Sequence, residues 1–255
     1  MLSKSILITG GTGKVGKQLI QHFLNKKYKV IFTSRNEEKI ASLIRKFKNE
    51  GHNNKSLNGI LVDLEQEKAF QNIINWFEKR DCWPNILVNN ARNIEYLKIN
   101  NGYMNRKNWL GELILEVVVP YELVMALVEH PKSQLENVIN IASMYGVVPP
   151  NPNLYEDPKN ESPINYGVAK AALIHLTKEL SIRFASNGIR VNAISYGGIE
   201  GRVTENFKKR YAKLCPTGRM LHENEVAGAV EFLASNHSLG MTGQNLVVDG
   251  GWSVW

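Results

Sequence analysis

The chain has 255 residues, 43% of them hydrophobic and 22% charged, with 31 Lys+Arg against 24 Asp+Glu for a net charge of +7. At about 150 residues per domain this length allows one or two domains, and the composition excludes a disordered chain. No run of about 18 apolar residues occurs, which excludes a spanning helix, and two distant cysteines, Cys82 and Cys215, exclude a disulfide scaffold or a Cys-only zinc site.

Met1 to Ser5 leads directly into Ile6-Leu7-Ile8 and a pair of glycines. That is too short for a signal-peptide core, so the expected location is the cytoplasm. Strands are expected at Ser5–Ile8, Lys29–Thr33, Gly59–Val62, Asn85–Val88, Asn137–Ile141, Arg190–Ile194 and Asn245–Val248. They are short, apolar and mostly β-branched, as strands buried on both faces of a parallel sheet are. Helical spacing marks Val15–Asn25, Gln66–Lys79, Tyr166–Ala185 and Glu225–Ala234. The alternation predicts an α/β fold, a Rossmann-type doubly wound parallel sheet of about seven strands with helices on both faces. No linker divides it, so one domain over 1–255 is expected. Val147 to Pro163 holds five prolines and three asparagines and reads as a long loop rather than helix or central strand.

The basic residues are scattered, with no long block interleaved with aromatics, so an anionic small molecule is the expected partner rather than nucleic acid. The six histidines show no metal-ligand spacing, and no metal is expected. Trp252-Ser253-Val254-Trp255 closes the chain with aromatics suited either to a subunit contact or to the domain's own core.

Thr9-Gly10-Gly11-Thr12-Gly13-Lys14-Val15-Gly16 lies between the first strand and the first helix. Glycines let the backbone approach a phosphate, and the helix start offers free N–H groups and a positive dipole end. Gly10, Thr12, Gly13, Lys14, Val15 and Gly16 are therefore candidate cofactor-binding residues. The second strand ends at Thr33-Ser34-Arg35 with no acidic residue to bind ribose hydroxyls. Ser34 and Arg35 leave room for a 2′-phosphate and can pair with it, with Lys14 adding positive charge, which favours NADP over NAD. Asp63, followed by Leu64 after the third strand, is placed either to reach the adenine or to cap a helix.

Tyr166 and Lys170 stand four apart in a helical stretch, which sets both on one face. A free tyrosine titrates near about 10, and a neighbouring ammonium stabilises its phenolate. The pair is a plausible general acid/base for an alcohol or carbonyl.

These motifs, with Asn89-Asn90-Ala91, Ser143, Arg190-Val191-Asn192-Ala193-Ile194 and the ending Thr242-Gly243-Gln244…Val248-Asp249-Gly250-Gly251, resemble the short-chain dehydrogenase/reductase family from about Leu2 to Trp252. The resemblance implies a nicotinamide cofactor and hydride transfer between a secondary alcohol and a ketone. By carry-over Tyr166 is the acid/base, Lys170 binds the ribose and lowers the tyrosine pKa, and Ser143 hydrogen-bonds the reacting oxygen. Asn90, with Ala91, lies near the cofactor ribose, and Ile199 meets the carboxamide through its backbone. A homo-tetramer or dimer is also implied.

Departures from the family pattern are concentrated at the site. Lys14 stands where the turn's middle glycine belongs, Arg92 replaces the glycine after Asn-Asn-Ala, and Tyr196-Gly197-Gly198 replaces a Pro-Gly. Gly201 takes the place of a threonine, with Thr204 as a substitute. Trp109 to Met125, aligned with the family, brings Glu116 to the position of a catalytic asparagine. A glutamate there can relay protons, so Glu116 is a candidate catalytic residue alongside Ser143, Tyr166 and Lys170; a solvated helical residue is the alternative. Ser143 and Tyr166 are 23 positions apart, against about a dozen in shorter family members. The Pro-rich segment thus emerges beside the catalytic pair. It resembles sugar-acting extended members and the enzymes of flagellin modification and nonulosonic-acid pathways. The expected substrate is polar and sugar-like, phosphorylated or nucleotide-linked. The departures leave a second reading, a non-catalytic cofactor-sensing or partner-binding protein on the same fold.

Overall fold

The structure is a computed structural model that describes residues 4–53, 55–201 and 203–254. Seven strands form one parallel sheet: β1 (Ser5–Ile8), β2 (Lys29–Ser34), β3 (Leu57–Leu61), β4 (Ile86–Asn89), β5 (Asn137–Ser143), β6 (Arg190–Tyr196) and β7 (Asn245–Val248). Their order is β3-β2-β1-β4-β5-β6-β7. Each expected strand is present, displaced by no more than two residues at either end. β1, β2, β4, β5 and β6 are buried through most of their length, since helices cover both faces, while the edge strands β3 and β7 are only partly buried.

The helices are α1 (Lys14–Asn25), α2 (Glu37–Asn49), α3 (Ala69–Arg80), α4 (Arg106–Leu113), α5 (Val119–Val128), α6 (Pro158–Glu161), α7 (Ile164–Arg183), α8 (Glu205–Leu214) and α9 (Val226–Ala234). One face of the sheet packs Leu19, Phe23, Leu43, Phe47 and Val230. The other packs Ile73, Phe77, Leu123, Leu127 and Leu180. Chain order reverses between β1 and β4, and in such sheets the crevice at the carboxyl ends of those strands is where a ligand binds. Among the described residues no helix is long and apolar enough to cross a membrane.

Two expectations need correction. The helix expected over Gln66–Lys79 starts later, because Gln66 lies in a turn and α3 begins at Ala69. The Pro-rich segment is also not free of helix. It holds a 3₁₀ turn, Pro152–Leu154, and the short α6, each with proline at its first positions. Proline is tolerated there because the first N–H groups of a helix have no partner within it. The segment is pinned down. Leu154 is fully buried with Met144, Tyr211, Cys215, Met220 and Trp252. Arg210 on α8 donates from Nε to the Leu154 carbonyl at 2.7 Å and pairs with Glu156 at 3.0 Å. Trp252 stacks on Tyr211 at 4.6 Å between centroids, so it covers the chain's own core; Trp255 lies outside the described residues.

α4 and α5 are joined through a π segment, Ile114–Val118, in which the Val119 N–H donates to the Ile114 carbonyl five residues back. Pro120 supplies a cause. It has no N–H for the Glu116 carbonyl four residues earlier, and its ring would strike that carbonyl in a tight helix.

Candidate active site

The glycine turn lies at the start of the crevice. Gly10 has φ +65°, and a Cβ on it would stand 2.8 Å from the Ala91 Cα. A Cβ on Gly16 would stand 2.6 Å from the Gly10 carbonyl oxygen and 2.7 Å from the Gly11 Cα. The turn and the helix start therefore pack backbone to backbone. Gly13 is the N-cap of α1, with no side chain capping the helix and no acidic residue in its first turn. Free N–H groups, a positive dipole end and a turn without side chains fit the pyrophosphate of a dinucleotide.

Neighbouring strand ends fasten this turn. Thr9 Oγ1 accepts from the N–H groups of Asn90 and Ala91 at 2.8 and 3.0 Å, and Asn90 Nδ2 donates to the Thr9 carbonyl at 2.9 Å. Thr12 and Ser34 share a hydroxyl bond of 2.9 Å, which brings the end of β2 to the turn. Val15 is half-buried beside it and packs on the core. The Lys14 ammonium donates to the Ile199 carbonyl at 3.1 Å and lies 3.5 Å from Glu223. It makes no bond to Ser34 or Arg35, so its charge bridges the crevice instead of supporting the 2′-phosphate edge.

Arg35 is half exposed and loosely paired with Glu65 at 3.5 Å. Glu65 also accepts from the Tyr96 hydroxyl. Burial, and then Glu65, push Tyr96 up to about 12. Asp63 accepts from the Glu65 N–H at 3.3 Å, which makes it the anchor of a turn rather than the cap of α3. Leu64 is buried in the core.

Lys170 and Tyr166 lie on α7, against the end of β5 where Ser143 closes the strand. The Lys170 ammonium donates to the Ile141 carbonyl at 2.7 Å and to Glu116 Oε2 at 2.5 Å. Both side chains of that ion pair are almost fully buried. Ser143 is buried and its Oγ accepts from the Tyr145 N–H at 3.2 Å, which leaves its proton to donate. Tyr166 is half-buried; the Tyr145 ring meets it edge-on at 6.5 Å, and the Arg92 guanidinium lies 4.6 Å from its ring centroid. The Tyr145 hydroxyl is bonded to that of Tyr155 at 2.7 Å, which ties the Pro-rich segment to this wall of the site.

Glu116 is thus brought against Lys170 and is not a solvated residue. The remaining departures have separate structural parts. The Tyr196 hydroxyl donates to the Val226 carbonyl. Gly198 donates to the Tyr211 hydroxyl at 2.9 Å. Thr204 caps α8 by accepting from the Phe207 N–H at 3.2 Å. Sequence reasoning missed Glu112, one turn before Glu116. It has no exposed surface, and neither carboxylate oxygen has a partner among the described residues. Burial first, and the Glu116 charge second, raise it to about 7. Its signal was the four-residue spacing from Glu116. Also missed was a buried polar chain: Asn89 Nδ2 donates to Asn140 Oδ1 at 2.8 Å, and Asn140 Nδ2 to Thr177 Oγ1 at 2.9 Å. It joins the strands beside the site to α7.

A glycine turn at the switch point and a Tyr–Lys pair on a helix beside the strand that Ser143 closes match an oxidoreductase of the nicotinamide-dependent, doubly wound kind. A family model described as enoyl-(acyl carrier protein) reductase matches residues 13–253. The chain belongs to the short-chain dehydrogenase/reductase family and is an NAD(P)-dependent oxidoreductase. It is 28% identical, over 99% of both chains, to "Post-translational flagellin modification protein A" of Campylobacter coli. It is similar to the crystal structure of a short-chain dehydrogenase from Leptospira borgpetersenii with bound NAD+, at TM-score 0.85 and 28% identity over 99% of this chain and 93% of that one. It is also similar to a gluconate 5-dehydrogenase from Burkholderia cenocepacia in complex with NADP and tartrate, at TM-score 0.83 and 25% identity over 99% of this chain and 96% of that one.

Proposed function

We propose that the chain interconverts a secondary alcohol and a ketone on a polar, sugar-like substrate, with Tyr166 as general acid/base and NADP(H) as the preferred cofactor. The observation that carries the chemistry is the Tyr166–Lys170 face of α7. Lys170 is held by Ile141 and Glu116, and Ser143 closes the adjoining strand. Gly10, Gly13 and Gly16 would hold the pyrophosphate, Asn90 and Lys170 the nicotinamide-side ribose, and Ser34 and Arg35 the adenosine 2′-phosphate. The bound nicotinamide supplies a hydride donor or acceptor. In reduction Tyr166 gives its proton to the developing alkoxide, and the Ser143 hydroxyl donates to the same oxygen. In oxidation Tyr166 takes the alcohol proton. The third N–H of Lys170 is left for the ribose once its two protein acceptors are satisfied.

The substrate class rests on the insertion. Tyr145, Tyr155 and the asparagines of 151–160 give this wall hydroxyl and amide groups suited to a polyhydroxylated molecule. The flagellin-modification and gluconate-dehydrogenase relatives support a polar substrate. Self-association is part of the same reading. Leu110, Ile114, Val118 and Tyr121 form an exposed apolar stripe along α4–α5, and Val168 and Ile182 of α7 are exposed as well.

The test is a titration with NADPH and NADH followed by tryptophan fluorescence, then a coupled absorbance screen of sugars and keto-acids. Tighter NADPH binding that is lost in Arg35→Ala is expected. Preference for NADH would discard the role of Arg35. Binding without turnover on any compound would favour a cofactor-sensing protein.

A further inference from the structure

We propose that Arg92, rather than Lys170, supplies the positive charge that stabilises the phenolate of Tyr166, acting as a positioning residue through that side chain. The proposal deepens the reading of Tyr166 as the acid/base and rests on it. Lys170 has the right spacing for this task, but its charge is already matched. Its ammonium is 2.5 Å from Glu116 Oε2, in a pair shut off from water. The ring centroid of Tyr166 is 5.8 Å from that ammonium. Seen from the phenol, a cation with a carboxylate in contact is a dipole, and its field falls off faster than that of a free charge.

Arg92 is placed otherwise. It follows Ala91 in the loop that leaves β4, and it lies closer to the ring, at 4.6 Å. Among the described residues its guanidinium has no carboxylate in ion-pair contact and no hydrogen-bond acceptor; its acidic neighbour is the buried Glu112, whose carboxyl it pulls down without touching it. A guanidinium keeps its charge at all working pH values. A phenolate spreads negative charge into its ring, so a planar cation over the face attracts the ionised form more strongly than the neutral one. The other groups around Tyr166 do not replace it. Tyr145 and Tyr155 are phenols bonded to each other, and burial raises both further. Glu112 and Glu116 add only negative charge; Glu116 is in contact with Lys170, and Glu112 is drawn on by both Lys170 and Arg92. The arginine beside the tyrosine and the glutamate beside the lysine thus form a compensating pair: one cation is neutralised and another is brought to the ring.

Tyr166 ionisation can be read without turnover, as the phenolate absorbance of the protein minus that of its Tyr166→Phe variant across a pH titration. Arg92→Gln is expected to raise the midpoint by about one pH unit, the lower end of what a nearby opposite charge does. Glu116→Gln is expected to lower it by freeing the Lys170 charge, and the double variant to return close to the parent. Removing the ion pair as a unit, Lys170→Met with Glu116→Gln, is expected to move the midpoint less than Arg92→Gln does. An unchanged midpoint in Arg92→Gln, or a larger shift on removing the pair, overturns the proposal. Should the pair-deleted protein fail to fold by circular dichroism, the Arg92→Gln and Glu116→Gln arms decide it. A protein that turns over no substrate would count against the functional reading, while the absorbance titration would still give its answer.

Discussion

At the scale of single residues the site is governed by proton and charge placement. On the proposed reading, Tyr166→Phe removes the proton that would complete the carbonyl-to-alcohol step but leaves the glycine turn untouched. Turnover is expected to drop by at least about a hundredfold, the lower end of general acid/base contributions, while cofactor affinity measured by fluorescence stays within a factor of a few. Glu112 makes a second, independent prediction. Its carboxyl titrates near about 7 in the folded chain against an ordinary 4.5, with burial as the main cause. Between those values the folded protein holds a proton that the unfolded chain has released. Stability is therefore lost as pH rises through that window, by roughly 3 kcal/mol in all. Glu112→Gln has no such proton to lose. Urea unfolding at pH 5 and pH 8 is expected to show the parent falling relative to this variant at the higher pH. Equal differences at both pH values would show that Glu112 stays ionised.

At the scale of elements, what could be read from the sequence depended on whether local pattern and tertiary role agreed. The strands were legible because they are short, apolar and mostly β-branched, and the five inner ones are buried on both sides; the edge strands β3 and β7 are only partly covered. The glycine turn and the Tyr166–Lys170 face were legible because their spacing alone fixes their geometry. α2 was not singled out although Asn36 caps it by accepting from the Lys39 N–H. The helix before Pro120 was legible only through family alignment, because its π segment breaks the 3.6-residue period on which amphipathic reading depends. No local rule links Arg92 to Tyr166 or Asn140 to Thr177; these contacts exist only once the sheet is assembled. Two substitutions test the elements themselves. Gly16→Ala must push α1 off the turn, since its Cβ has no room between Gly10 and Gly11. A loss of about 1–3 kcal/mol in unfolding free energy is expected, as for other overpacked sites. Leu154→Ala empties the anchor of the insertion and is expected to cost about 2–5 kcal/mol in the same measurement.

At the scale of the whole molecule, the sheet with its two helical layers places the cofactor crevice at one edge and an apolar stripe on a separate surface. Leu110, Ile114 and Tyr121 are all about two-fifths to a half exposed and recur along one continuous helix. A lone protein rarely leaves such a row to water. Sedimentation equilibrium is expected to give a dimer or tetramer, and Ile114→Glu to shift it toward smaller species. A parent that sediments as a monomer at tens of micromolar would remove self-association from the functional reading.

The π segment has a consequence for how this chain can change over generations. It holds one residue more than an α-helical path over the same rise, so a single-codon deletion between Ile114 and Val118 can be absorbed by tightening the turn. The turns on either side would keep their facing, so Glu112 would stay buried and Leu110 would stay in line with Tyr121. Only the side chains between Ile114 and Val118 would change places, and among them Glu116 is the one that meets Lys170. One in-frame deletion could thus take the carboxylate away from Lys170 while both flanking helices keep their packing. A lineage could change its proton chemistry by this route and leave its outer apolar row as it was.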